Sequence, residues 1–223
     1  MTLPGGLTPA DVVAWYEASQ GGTQVNPLPD VSGNGMDITQ ADPNKQAVYQ
    51  TGVFNGQPAY VFGAPRVYRR QWPSVSEPFT LFLVTDTQGP LNIGLSYCLV
   101  SGWNGAGKHA VGIRSNGIQW VMEQAGEGQH IYSGKRDTAA YPQINTTYVL
   151  QAEFENVDRL VKNGSQVITG DAGHNPTTGI TLGARENEER HWPGRIAVCG
   201  VALALTSTQK DAVRAELLAT YVS

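Results

Sequence analysis

The 223-residue chain is poor in charge: Asp, Glu, Lys and Arg make up 15% of it, against about a quarter in an ordinary soluble domain. No apolar run approaches the roughly 20 residues needed to span a bilayer, so no membrane helix is expected. A basic excess is missing as well. Fifteen Lys and Arg face 19 Asp and Glu, for a net charge of -4. Nucleic-acid binders carry a basic face, whereas the densest basic run here is only Arg66, Arg69 and Arg70 beside Trp72. No nucleic-acid partner is expected. The start, Met1-Thr2-Leu3-Pro4-Gly5-Gly6, lacks the positive patch and apolar core of a secretory leader, which points to cytoplasmic synthesis. That setting favours free, buried thiols at Cys98 and Cys199, while a disulfide between them stays open. Two cysteines alone are too few for a metal site.

What is abundant is turn chemistry, with 26 Gly and 13 Pro. Between these breaks, short apolar and alternating runs predict strands near 58–62, 79–85, 95–101, 109–114, 118–122, 130–133, 148–155, 159–162, 166–169, 180–183 and 196–205. Residues 12–16 are β-like too. Ser115-Asn116-Gly117 and Asn163-Gly164 are hairpin turns, and Asp30-Val31-Ser32-Gly33-Asn34-Gly35 is a tight turn. The run 79–84 is apolar almost without a break, which suits a strand buried on both faces. Thr8-Pro9-Ala10-Asp11 predicts a short helix over 8–13. Thr206 and Gln209 form a capping box for a C-terminal helix over 207–221, with Val213, Leu217, Leu218 and Tyr221 on one stripe. Many short strands with so little helix describe an all-β, two-layer antiparallel β-sandwich, a single domain over 1–223.

Several segments together carry a resemblance. Trp15-Tyr16-Glu17-Ala18-Ser19, the turn at 30–35 and Thr39-Gln40 open it. Gly56-Gln57-Pro58-Ala59-Tyr60-Val61-Phe62-Gly63, the 79–84 run, Lys162-Asn163-Gly164 and Ile180-Thr181-Leu182-Gly183 continue it. Gly194-Arg195-Ile196-Ala197 and the helix to Tyr221 close it. In this order and spacing they resemble the laminin-G-like branch of the concanavalin A-like lectin/glucanase superfamily. The resemblance implies a jelly roll with one concave sheet, used for binding glycans or proteins. The acidic loop usually found after the second strand is here Gly63-Ala64-Pro65-Arg66, and Arg195 stands where an acid usually follows the late glycine. No cofactor is expected, and calcium, left open, has no motif to hold it.

Sugar binding needs an aromatic ring for the CH face and amides, carboxylates or Arg for the hydroxyls. Trp15 and Trp120 fall in phase with core positions, and Trp192 is expected to pack the sandwich edge. Trp72 and Trp103, taken as loop residues next to Arg70 and Asn104, are the ligand candidates. His130 and Tyr132 alternate against Ile131 and line a concave face with Arg114. The predicted ligand-binding set is therefore Trp72, Trp103, Asn104, Arg114, His130 and Tyr132. The four histidines share no metal-ligand spacing. The stretch 185–191 reads as a solvated loop or, alternatively, a polar subunit contact.

The expected function is a non-catalytic module recognising a glycan or protein surface. Freestanding modules of this kind made in a cytoplasm suit a bacteriophage virion, as capsid decoration or tail receptor-binding proteins alongside other virion proteins. A symmetric homo-oligomer, with a trimer as the leading form, goes with that setting. The alternative is a glycoside hydrolase. Glu153 and Glu155 alternate on one strand, the arrangement a carboxyl pair about 5 Å apart requires. A solvated strand face is the simpler reading of the same residues.

Overall fold

Chain direction is set at the start by one 3-10 turn, Pro9–Asp11, whose Asp11 carboxylate accepts from the Thr8 amide at 2.8 Å and hydroxyl at 2.6 Å. The helix expected over 8–13 stops after this turn. Val12 and Val13 are β-branched, prefer the extended backbone, and already belong to the first strand. The computed structural model describes residues 2–89, 97–102, 108–113, 120–125, 130–132, 143–171, 176–185 and 187–222, with the backbone alone for 108–110, 113, 121–125 and 130–132.

The elements are β1 Val12–Glu17, α1 Ala18–Gly21, β2 Val48–Phe54, β3 Gln57–Val61, β4 Tyr68–Val75, β5 Phe79–Thr87, β6 Tyr97–Ser101, β7 Lys108–Ile113 and β8 Trp120–Ala125. There follow β9 His130–Tyr132, β10 Tyr148–Phe154, β11 Asp158–Lys162, β12 Ser165–Gly170, β13 Thr177–Leu182, β14 Gly194–Ala202 and α2 Ser207–Tyr221. One sheet has eight strands in the order β12-β11-β10-β5-β14-β3-β2, with β1 also on β14. The other has six, in the order β4-β13-β6-β7-β8-β9. Neighbouring strands pair antiparallel throughout, from β10 on β5 to β13 on β4. This is the expected two-layer sandwich.

Two strands, β2 and β4, were not expected. Both lie at sheet edges, where one flank faces water and the apolar alternation that marks a strand is diluted. Strand β4 carries Arg69, Arg70 and Pro73, residues that an edge tolerates and a central strand does not.

The core between the sheets takes Leu81, Leu83, Leu150 and Phe154 from the larger sheet against Tyr68, Trp72, Val111, Trp120 and Leu182 from the smaller. A second apolar cluster covers the outer face of the larger sheet. There Phe82, Val84, Val149 and Val198 meet Leu3, Leu7, Val213, Leu217 and Tyr221. Strand β5 is thus buried on both faces, as its apolar run implies. Each fully buried side chain on the helix stripe contributes about 1.5–3 kcal/mol relative to exposure.

Helix α2 starts as its capping box predicts. Gln209 N–H donates to the Thr206 hydroxyl at 3.3 Å, and the Thr206 amide donates to Gln209 Oε1 at 3.0 Å. At its far end the Tyr221 hydroxyl donates to Glu17 Oε1 at 2.9 Å, tying the last turn to β1. The 30–35 turn is equally specified. The Asp30 carboxylate accepts from the backbone amides of Trp15, Ser32 and Met36 at 2.9–3.0 Å, with Gly33 and Gly35 at φ 90° and 71°. Cys98 and Cys199 are free and buried, on β6 and β14.

Candidate functional site

The register of the smaller sheet sorts its residues into rows. Tyr68, Leu182, Val100, Val111, Met122 and Ile131 form one row across all six strands. Tyr68, Leu182, Val100 and Val111 belong to the inner core, so this is the core-facing row. Successive residues alternate faces, and the adjacent row, Arg69, Thr181, Ser101, Ala110, Glu123 and His130, is therefore the outer one. Its middle is small and its ends are charged or polar. The Thr181 hydroxyl donates to the Gly102 carbonyl at 3.1 Å and the Ser101 hydroxyl to the same carbonyl at 3.3 Å. Both side chains are buried and engaged.

Of the residues picked from sequence, His130 and Tyr132 lie on β9, opposite Glu123 and Val121 at the sheet edge. Trp103, Asn104 and Arg114 lie outside the described residues, in the segments joining β6 to β7 and β7 to β8. Trp72 is a correction. It sits within β4, not in a loop, and is 5% exposed in the inner core. Its strand alternates Tyr68 and Trp72 inward, a phase masked in the sequence by the charged neighbours. Trp15, Trp120 and Trp192 are buried as expected. Trp192 goes further than edge packing: its Nε1–H donates to the Asp86 carbonyl at 3.0 Å, and its ring lies 6.1 Å from that of Trp120.

Glu153 and Glu155 lie on the opposite side of the molecule, under the start of α2. Lys210 Nζ is 2.9 Å from Glu153 Oε2 and also bonds Glu155 Oε1. Arg159 Nη2 reaches Glu153 Oε2 at 2.9 Å, Gln151 donates to Glu153 Oε1 at 2.8 Å, and Arg214 Nη1 donates to Gln151 at 2.9 Å. The solvated face expected for Gln151 and Glu153 is in fact covered, because α2 brings Lys210 and Arg214 down onto it. Burial works against ionised Glu153, but the hydrogen bonds from Lys210 and Gln151 and the charges of Lys210 and Arg159 outweigh it and hold the carboxyl below its ordinary range. A retaining pair needs one carboxyl kept protonated as acid. Here a single ammonium, Lys210, bridges the two carboxyl groups. The groove alongside, about 590 Å³, is lined by Glu77, Pro78, Val157, Arg159 and Ser207 among others, without an aromatic ring.

A third cluster sits at the β4 edge of the smaller sheet. Lys45, at the end of the 3-10 turn Pro43–Lys45, places Nζ 2.5 Å from Glu188 Oε2, and Arg69 Nη1 lies 3.7 Å from Glu188 Oε1. The Lys45 hydrogen bond and the charges of Lys45, Arg69 and His191 hold the Glu188 carboxyl below its ordinary range. The expectation for 185–191 is a solvated loop or a polar subunit contact; its Glu188 is drawn onto Lys45 and Arg69. The cluster joins three segments far apart in the chain, and no local pattern marks it. Among the described residues no group of three or more His, Cys, Asp or Glu side chains is placed to hold a metal ion.

No protein-family model matches the chain, and no curated protein matches it. Solved structures do. The ligand-binding domain of botulinum neurotoxin serotype D in complex with N-acetylneuraminic acid superposes with a TM-score of 0.67 at 12% identity, over 92% of this chain and 50% of that one. Domain 4 of AbnA, a GH43 extracellular arabinanase from Geobacillus stearothermophilus, in complex with arabinotriose, gives 0.64 at 14% identity, over 91% and 98%. Trypanosoma rangeli sialidase in complex with sialic acid gives 0.57 at 13% identity, over 96% and 34%. At such identities the likeness is one of fold. The chain spans about half the length of the neurotoxin domain.

Proposed function

We propose that this chain is a non-catalytic glycan-binding module of the laminin-G-like type, with recognition on the smaller sheet and the segments that join its strands. The observation that carries this reading is the difference between the two outer faces. The larger sheet is sealed by α2 and the N-terminal residues, and its only sequence-nominated carboxyl pair is locked onto Lys210. The smaller sheet carries the outer row from Arg69 to His130, small in the middle and polar at its ends. Trp103, Asn104 and Arg114 supply the ring, amide and guanidinium that sugars require. Solved domains of this fold bind N-acetylneuraminic acid and arabinotriose, which supports the same class of ligand here.

The finer setting, a capsid decoration or tail receptor-binding protein of a bacteriophage acting as a homo-oligomer, belongs to the same proposal. A sandwich specialised for surface binding supports it, and co-purification with virions checks it.

A glycan array tests the central reading. Hits are expected, and Trp103→Ala is expected to weaken retention while leaving the thermal midpoint nearly unchanged. An array without hits, beside tight binding to a capsid or tail protein, replaces the glycan reading with a structural one. Incubation with polysaccharide is expected to release no reducing ends. Release that Glu153→Gln abolishes would establish the hydrolase instead.

A further inference from the structure

The outer row of the smaller sheet ends at Arg69, and at that end a carboxylate is already bound. It belongs to Glu188. Lys45 and Arg69 approach its two oxygens separately, at 2.5 and 3.7 Å, so two cations from different elements form a two-point receptor for a carboxylate. The backbone that carries each cation is fixed independently of the occupant. Lys45 is fixed by its 3-10 turn and by its carbonyl, which accepts from the Val67 amide at 3.0 Å. Arg69 is fixed by its pairing with Thr181.

The occupant is held less firmly. The Glu188 side chain is 34% exposed, and its backbone lies at φ 61°, in the left-handed region that a non-glycine residue enters at a cost. A half-buried surface ion pair adds little to stability, so an outside carboxylate can replace this one cheaply. One further polar atom is close by. Arg66, half-buried, lies on the segment that Val67 ties to Lys45, and the sheltered Nδ1 of His191, a residue that bears on Glu188 electrostatically, lacks a hydrogen-bond partner.

We infer that this corner is a subsite for the carboxylate of an acidic sugar, a uronic or sialic acid residue, which displaces Glu188 from between Lys45 and Arg69. The inference rests on the glycan reading above and names the class of glycan. Glu188 then acts as a built-in competitor, which occupies the space between the two cations until a ligand arrives.

The experiment is a titration of the full chain with uronate and sialate oligosaccharides, each paired with its carboxyl-reduced, neutral counterpart. The acidic member of a pair is expected to bind tighter, with an affinity that falls as salt rises. Lys45→Met and Arg69→Met are each expected to lose about tenfold or more of that affinity, the cost of removing a charge-assisted hydrogen bond, and to leave the neutral counterpart unaffected. Glu188→Gln is expected to raise the affinity roughly two- to fivefold, the range set by a surface ion pair. A gain of binding on removing that negative charge is not what a purely structural Glu188 would produce. Equal binding of acidic and neutral members, or acidic binding indifferent to Lys45 and Arg69, overturns the inference and leaves the glycan reading standing. No binding of any glycan removes both. Circular dichroism of each variant checks that it is folded.

Discussion

Lys210 and Glu153 meet 2.9 Å apart beneath the first turn of α2, with side chains 7% and 4% exposed. Lys210 falls on the buried stripe with Val213, Leu217 and Tyr221, so the helix docks through an ammonium as well as through apolar groups. Removing one partner of a buried pair leaves the other uncompensated. Lys210→Met is expected to destabilise the fold by about 3 kcal/mol, near the lower end of the range for such breaks because Arg159 still reaches Glu153. The double variant Lys210→Met with Glu153→Met is expected to recover part of that loss in urea denaturation. A double variant as unstable as the sum of the singles contradicts the pairing.

Acid should expose the same pair. The Glu153 carboxyl is held below its ordinary range in the folded chain, so its contribution is fully present above the unfolded value, about 4.3. It is lost as pH falls through the lower, folded value. Stability is expected to be level near neutrality and to drop below about pH 4.5, less steeply in Glu153→Gln. Parallel acid limbs for the two proteins would remove Glu153 from the account.

Trp72 separates packing from recognition. Because its ring lies in the inner core, Trp72→Ala is expected to cost about 3–5 kcal/mol and to lower the thermal midpoint by several degrees. Glycan retention should fall only with the folded fraction. A variant with normal stability and lost binding would return Trp72 to the ligand site.

The two thiols report on the core. Burial pushes the Cys199 thiol up, and Cys98 is buried as well. Neither is expected to react with a disulfide reagent in the native protein, and both should titrate once it is denatured. Two thiols reacting in the native state would show the sandwich opening at β6 or β14.

Much of this architecture was legible in the sequence, and the exceptions have physical causes. Strands β5, β10 and β13 announce themselves because both faces or one whole face must be apolar. Helix α2 announces itself through Thr206, Gln209 and its stripe. Strands β2 and β4 do not, since an edge strand has one bonded neighbour and its residues need not repel water. Trp72 was misplaced for the same reason, hidden among Arg69, Arg70 and Gln71. Lys210 was passed over because a charged residue in an apolar phase makes sense only once Glu153 is known to lie opposite. The Lys45, Arg69 and Glu188 cluster draws on three separated segments, and only folding brings them together. His130 and Tyr132 were placed on one strand correctly, through simple alternation.

The covered face of the larger sheet also fixes how the protein can be held. The Gly5 amide donates to Glu216 Oε2 at 2.7 Å, and Leu3 and Leu7 pack with Val213 and Leu217. The earliest and latest described residues therefore share one side, back to back with the row from Arg69 to His130. Coupling a bead, a sensor chip or a fused partner to either of those segments orients every molecule alike, with the row from Arg69 to His130 turned away from the support.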